Sequence, residues 1–488
     1  MLAAARPPAP PQRPAGRRHV AGLGRLGLRT TPGRIRALAA VVVLAMAGFY
    51  VVANIAVGNA RDGLRVIGHD AGPQVLATGD LYFALSDMDS QVADILLAGG
   101  GSRLDAVQHA LSRYRQDRAR ADRAALQAAE LSASDPTDQA TVRSVLDGLG
   151  QYEQLANQAM VLDQQANRPA GPPTATVTAV YRQATDLMKL QLLPQAYNLT
   201  LAGGATVREA YEAKRSAASS GRVWVALTGL AVLVALAGLQ IYLVARFRRR
   251  VNFALALATA VLIVLGVSSL RLLSGEATQL QLAKTDGFDS ILTMSRAQAI
   301  SNSMHADEIR FLLDPGRTDT YSLDYLYKSQ TILYVDSGNL GAYYTKLGVA
   351  MRAYQASSPT VSFFGFYGAE ARAHPGPALT AVLTRFQQVQ ADDQRIRQLA
   401  GAGHGRQAIA VLTGQTAGSS SYDFDRYDQA IVSLIGLRRQ TFDQAIRTGD
   451  QDLGRSVLGS WAGLLPLAAL GVAILVIAGV RPRLAEYR

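Results

Sequence analysis

VWVALTGLAVLVALAGLQIYLV (223–244), ARFRRR (245–250) and VNFALALATAVLIVLGVSSL (251–270) follow one another without a break. Each apolar run is about 20 residues, the length of helix needed to cross the ~30 Å hydrocarbon core of a bilayer. Neither run holds a Lys, Arg, Asp, Glu or His, and the link between them is almost all arginine. The pair therefore reads as a helical hairpin through a membrane with its short turn on the cytoplasmic side, where positive charge is retained. Two more runs of the same kind lie at 37–57 and 458–480. Four transmembrane helices then divide the chain into a tail (1–36), the first span (37–57), an outer segment (58–222), the second span, the turn (245–250), the third span, a second outer segment (271–457), the fourth span and a tail (481–488).

The positive charge sits where this topology requires it. Arg6, Arg13, Arg17, Arg18, Arg25, Arg29, Arg34 and Arg36 precede the first span without a single acid. Arg246, Arg248, Arg249 and Arg250 fill the turn, and Arg481, Arg483 and Arg488 follow the fourth span beside Glu486 and Tyr487. These fifteen arginines exceed the net charge of +12, so the rest of the chain is slightly acidic. Arg34, Arg36 and the four arginines of the turn are the topology-determining residues, placing both chain ends inside the plasma membrane and both long segments outside it. The basic balance is thus a membrane signal and gives no reason to expect nucleic acid as a partner. The first run is longer than a signal-peptide core and is taken as an uncleaved anchor. The absence of cysteine excludes thiol catalysis and cysteine metal sites.

Both outer segments carry helical periodicity. Val142, Val145, Leu149, Tyr152, Ala156 and Ala159 step by threes and fours, as do Leu104, Val107, Leu111 and Tyr114. In the second segment Leu379, Val382, Phe386, Val389, Ile396 and Leu399 form one stripe, and Phe424, Tyr427, Ile431 and Leu434 another. The glycine run 99–101, Asp135-Pro136 and 168–173 punctuate the first segment; Asp314-Pro315-Gly316 punctuates the second. A shift of 216 residues superimposes Met88 on Met304, Leu96 on Leu312 and Leu97 on Leu313. The fold class expected is all-α, an integral membrane protein with two extracytoplasmic four-helix bundles in tandem, as if one span–bundle–span unit had been duplicated.

No catalytic constellation, phosphate loop or zinc motif is present, and no cofactor is implied. His305, Asp307 and Glu308 are the nearest approach to a ligand cluster, but their helical directions diverge, and a solvated face is the plainer reading. The spans lack the intramembrane charges of transporters. Two surfaces merit a functional hypothesis. Phe363, Phe364, Phe366 and Tyr367 crowd one loop, where aromatics either pack inward, dock a partner or enter the lipid interface. The tail Arg481-Pro482-Arg483-Leu484-Ala485-Glu486-Tyr487-Arg488 offers a cytoplasmic contact, or serves only as a positive anchor. The tyrosines Tyr321, Tyr325, Tyr327, Tyr334, Tyr343, Tyr344 and Tyr354 suit a bundle core or an interface.

Helical domains held between spans resemble the sensor domains of bacterial chemoreceptors and sensor kinases. The whole plan, with its ending at 481–488 and its Ala- and Arg-rich composition, resembles the actinobacterial GlnX membrane proteins. That resemblance implies a signal transducer without enzymatic activity. An extracytoplasmic solute-binding lipoprotein would detect aspartate or glutamate outside. A soluble cytoplasmic Ser/Thr kinase, protein kinase G, would respond inside. It carries over no binding residues. Membrane lipid is the remaining partner, and a homodimer is left open. The alternatives are a direct small-molecule sensor of chemoreceptor type and an envelope scaffold.

Overall fold

The computed structural model describes residues 31–99, 104–131, 136–247, 252–356, 361–454 and 461–485. They are helical throughout and hold no strand beyond a single antiparallel bridge between Tyr334 and Phe364. Three helical runs among them are long and apolar enough to cross a membrane, 31–98, 175–246 and 253–313. The fourth apolar stretch, Pro466–Pro482, is helical but shorter than a usual span. The expected fourth span begins at 458, and residues 458–460 lie outside the described residues.

Each long run carries its helix from an apolar segment straight into a polar one. The first comprises α1 (Thr31–Arg65), a π-helical segment (Val66–Ala71) and α2 (Gly72–Ala98). After α3 (Leu104–Leu131) and α4 (Pro136–Ala166), the second comprises α5 (Ala175–Leu187), a π segment (Met188–Leu192) and α6 (Leu193–Phe247). The third comprises α7 (Phe253–Gln281), a π segment (Leu282–Asp289) and α8 (Ser290–Leu313). The rest is α9 (Thr318–Ile332), α10 (Leu340–Ala356), α11 (Gly365–Ala373), α12 (Pro377–Gly401), α13 (Gly405–Leu412), α14 (Ser420–Gly454) and α15 (Trp461–Ala485). The first and third π segments start at Val66 and Leu282, which are 216 residues apart, the shift that aligned the methionines and leucines.

The chain divides into two compact units. One holds Met1–Val52, Val225–Val267 and Leu465–Arg488. Its apolar helices meet through Phe49 of α1, Leu236 of α6, Leu262 of α7 and Val476 of α15, all buried. Side-chain amides tie the helices to one another. Gln240 donates to the Leu255 carbonyl (3.1 Å) and to Thr259 (2.9 Å), and Asn252 donates to the Gly479 carbonyl (2.9 Å). Such bonds are favoured in lipid because water is not available to compete.

The other unit holds Ala53–Trp224 together with Ser268–Leu464, so both outer segments belong to one body. The stripe on α4 is buried from Val142 to Ala159, as its spacing predicts. So are Leu379, Val382, Phe386, Val389 and Ile396 on α12 and the four stripe residues of α14. On α3 the buried line differs from the expected one. It runs through Ala110, Tyr114, Asp117, Ala121, Ala125 and Ala128, while Val107 and Leu111 edge a cavity of about 320 Å³ between α3 and α4. Alanines let α3 lie close against α2, which outweighs the larger leucine side chains. Helix α2 is buried on nearly every side from Leu81 to Ala98, and α8 likewise from Ala297 to Leu313. The two pack on each other, α3 covering the far side of α2 and α9 that of α8. An isolated bundle buries one stripe per helix; these two helices are buried all round because each segment supplies part of the other's core.

Candidate functional site

Burial of α2 from Leu81 to Ala98 and of α8 from Ala297 to Leu313 takes the charged residues of those stretches inside. His305, Asp307 and Glu308 do not form the solvated face expected from their helical directions. All three are buried, because the α8 surface they would have shown to water faces α2, α9 or α14. The guanidinium of Arg310 is completely enclosed. It donates to Asp89 of α2, to Asp307 one turn back (2.6 Å) and to the Tyr181 hydroxyl of α5 (2.9 Å). Tyr152 and Thr185 each donate to Asp89 (3.3 Å), while Lys189 (3.4 Å) and Lys328 donate to Asp307. Burial works against ionisation of Asp307, yet Lys328, Arg310 and Lys189 hold it down at about 2. Every charge in this network has partners, which is the condition under which buried ions are tolerated.

A second network lies further along the same seam. Arg113 of α3 donates to Asp87 of α2 (3.1 Å) and to Asp425 of α14 (2.6 Å), joining the two outer segments. Beside it a cavity of about 40 Å³ is lined by Asp87, Gln91, Asp94, His305, Gln415 and Asp425, among others. That is room for a water or two. His305 stacks on Phe424 (4.2 Å between centroids, 10° between planes) and is hydrogen-bonded to Glu308 (2.8 Å). Ser420 donates to both oxygens of Glu308 (3.0 and 2.8 Å). Burial, and then the neighbouring Asp423 and Glu308, raise Asp392 to about 7. Among the described residues no group of His, Cys, Asp and Glu is arranged to hold a metal ion.

A third feature is steric. Phe442 and Ile446 of α14 are buried against glycines of the first and third long helices. A Cβ on Gly287, inside the third π segment, would stand 2.7 Å from Phe442 Cβ and 2.9 Å from its Cα. A Cβ on Gly68, in the first π segment, would stand 3.0 Å from Ile446, and one on Gly72 would meet its own helix at the Ile67 carbonyl (2.2 Å). The π segments widen the helix by one residue per turn, and the glycines let α14 approach the backbone. Helix α14 thus packs against the π segments of both the first and the third long helices.

The aromatic loop is divided by the fold. Phe363 and Tyr367 are buried, Tyr367 pairing its hydroxyl with Tyr427 and its ring edge-on with Phe386. Phe366 is half-buried, and Phe364 is exposed with the Arg372 guanidinium 5.2 Å from its ring. Tyr321, Tyr325 and Tyr343 are buried, Tyr344 and Tyr354 are half-buried, and Tyr327 and Tyr334 are exposed. Arg34, Arg36 and Arg246 are exposed on α1 and α6; Arg248, Arg249 and Arg250 lie outside the described residues. Arg481 is exposed and Arg483 continues α15, whereas Glu486, Tyr487 and Arg488 lie outside the described residues. The seam residues Asp87, Asp89, Arg113, Asp117 and Arg310 gave no sign in the sequence beyond charges interrupting apolar stretches such as Leu85–Leu97.

A protein-family model described as an actinobacterial sensor domain matches residues 63–212. The matched stretch runs from the end of α1 through α2 to α5 and into α6, so it contains Asp87, Asp89, Arg113 and Tyr181. The match supports an actinobacterial sensor protein. Neither the curated proteins nor the solved structures yielded a significant match.

Proposed function

We propose that this chain is a transmembrane signal transducer without catalytic activity of its own, relaying extracellular aspartate or glutamate to a cytoplasmic Ser/Thr kinase. A solute-binding lipoprotein outside would carry the amino acid to the outer unit. The observation that carries the reading is the continuity of three helices from apolar segments into a charged, jointly packed outer unit. A seam shared by two segments is suited to two alternative packings, and helices that leave it without a break convey the difference. The Pro466–Pro482 stretch completes a fourth crossing in this reading, with both chain ends inside. A lipoprotein as the binding partner is favoured over direct capture by the size of the seam cavity. Its volume of about 40 Å³ has room for water and not for an amino acid.

The test is a cellular one. With the full-length chain present, added aspartate or glutamate should change phosphorylation of the kinase substrate. Removing residues 481–488 should abolish that change while the protein stays in the membrane. An unaltered response would remove the tail from the mechanism. Calorimetry of the full-length protein with the amino acids alone should show no micromolar binding; a clear isotherm would favour the direct sensor. Phe364 offers a narrower check on the outer contact. Phe364→Ser removes an exposed ring, so stability should move by less than ~0.5 kcal/mol, as for surface sites generally. A pull-down of the lipoprotein should weaken in the same variant, and equal recovery would take Phe364 out of the interface.

A further inference from the structure

Acid outnumbers base along the seam. Five carboxyl groups from three helices surround the single guanidinium of Arg113: Asp87 and Asp94 of α2, Asp117 of α3, and Asp425 and Asp428 of α14. Asp87 and Asp117 are buried and hydrogen-bonded to each other, two acids that cannot both be charged at little cost. Asp428 accepts from Gln298 of α8 (2.7 Å), a bond within the second outer segment, and Arg113 with Asp425 makes the link between the segments. Of the other charged or titratable groups that face it, α3 supplies His109 at the cavity wall and Arg120 beside Asp117. Helix α8 supplies His305, whose partner is Glu308. The cavity among these groups gives water, and with it protons, a place beside Asp94.

We propose that this cluster is a proton-binding site through which the packing of the two outer segments answers to the pH outside the membrane, a second input beside the amino-acid signal. Protons are the ligand the arrangement takes, because a carboxyl group that gains one ceases to repel its neighbours and becomes a donor to them. The titration range agrees. Burial raises Asp94 to about 6 against the opposing pull of His305 and Arg113, and raises Asp428 to about 6 against Gln298. Burial and the neighbouring Asp87 raise Asp117 to about 9. Burial opposes the charge on His305, but Glu308, Asp94 and Asp425 outweigh it and raise its value.

For acids raised on folding, the added stability is complete below their ordinary value near 4 and is lost as pH climbs through the folded value. For a histidine raised on folding, it is complete below ~6.5 and lost above. Both therefore act in one direction, and the seam should tighten in mild acid and loosen towards alkaline pH. Asp87 is lowered on folding, with Arg113 overcoming burial, and its contribution is lost only below its ordinary value near 4.

The experiment uses the full-length protein in lipid nanodiscs, with its thermal midpoint followed from about pH 4 to about pH 8. The midpoint should fall by a few degrees as the pH rises across Asp94 and Asp428, and Asp94→Asn with Asp428→Asn should flatten that fall. A pH-independent midpoint in the unaltered protein, or an unchanged slope in the double variant, overturns the proposal. Should the variants not fold, infrared absorption of protonated carboxyl groups in the unaltered protein decides the matter. A carboxylic band lost with a midpoint near 6 supports the site, and no change across that range overturns it. Neither measurement involves the lipoprotein, the amino acid or the kinase, so failure here is distinguishable from failure of the relay.

Discussion

Replacing Arg310 by methionine is expected to lower the stability of the outer unit by about 3–5 kcal/mol, the cost of leaving a buried ion without its partner. Methionine replaces the aliphatic stem and leaves the place of the terminal guanidinium nitrogens empty, so a small cavity adds to the electrostatic loss. Asp89 would keep only the hydroxyls of Tyr152 and Thr185, with Lys189 further away. Asp307 would keep Lys189 and Lys328, so the damage should fall mainly on the α2 side. A second change, Asp89→Leu, then removes the stranded carboxylate and should restore a large part of the loss. Chemical denaturation of the three forms measures this directly. Equal stabilities for Arg310→Met and the unaltered chain would mean that water already reaches Asp89. The same network accounts for specificity of packing: an apolar seam would tolerate a slip between α2 and α8, whereas Arg310 meets both Asp89 and Tyr181 in one register only.

Gly287→Val is the second large expectation. Its Cβ alone would come within 2.7 Å of Phe442 Cβ and 2.9 Å of the Phe442 Cα, and backbone does not yield as a flexible side-chain tip does. Overpacking of this kind costs about 1–3 kcal/mol, and valine's branches raise it towards the upper end. Truncating Phe442 to alanine leaves its Cβ and Cα in place, so it should not rescue Gly287→Val. Phe442→Gly removes the nearer of the two atoms and should rescue in part. The pair of double variants, compared by thermal melting, therefore separates a backbone clash from a simple excess of volume. If the proposed relay holds, Gly287→Val should also change its response in the cell at unchanged protein level, because α14 would be pushed away from the third long helix. A response identical to that of the unaltered chain would exclude this contact from signalling.

Much of the architecture was legible in the residues. Apolar runs free of charge marked the three helical runs that are long and apolar enough to cross a membrane. The α4, α12 and α14 stripes predicted their buried faces because period is a local property of the chain. The α3 stripe held only in part: Tyr114 is buried and Val107 and Leu111 are half-buried, the Leu104 side chain lies outside the described residues, and the rest of the buried line is mostly alanine, which weighs little in a hydropathy pattern. The tyrosines and the aromatic loop left alternatives standing, and the fold divides them: Tyr325 and Phe363 lie in the core, and Tyr327 and Phe364 at the surface.

By itself, then, the sequence determined that this is an all-helical chain with helices long enough to enter a bilayer, that it has no thiol chemistry, and where its positive charge lies. Only the tertiary structure decided that the two outer segments share a core. It also decided that Arg310, Asp307 and Glu308 belong inside that core, and that Gly68 and Gly287 stand under α14. The physical reason is the range of the forces. Helix formation and membrane entry depend on residues a few places apart or on a summed apolar area. A charge is read as solvated or buried only by what packs over it, and for α8 that cover comes from α2, some two hundred residues earlier in the chain.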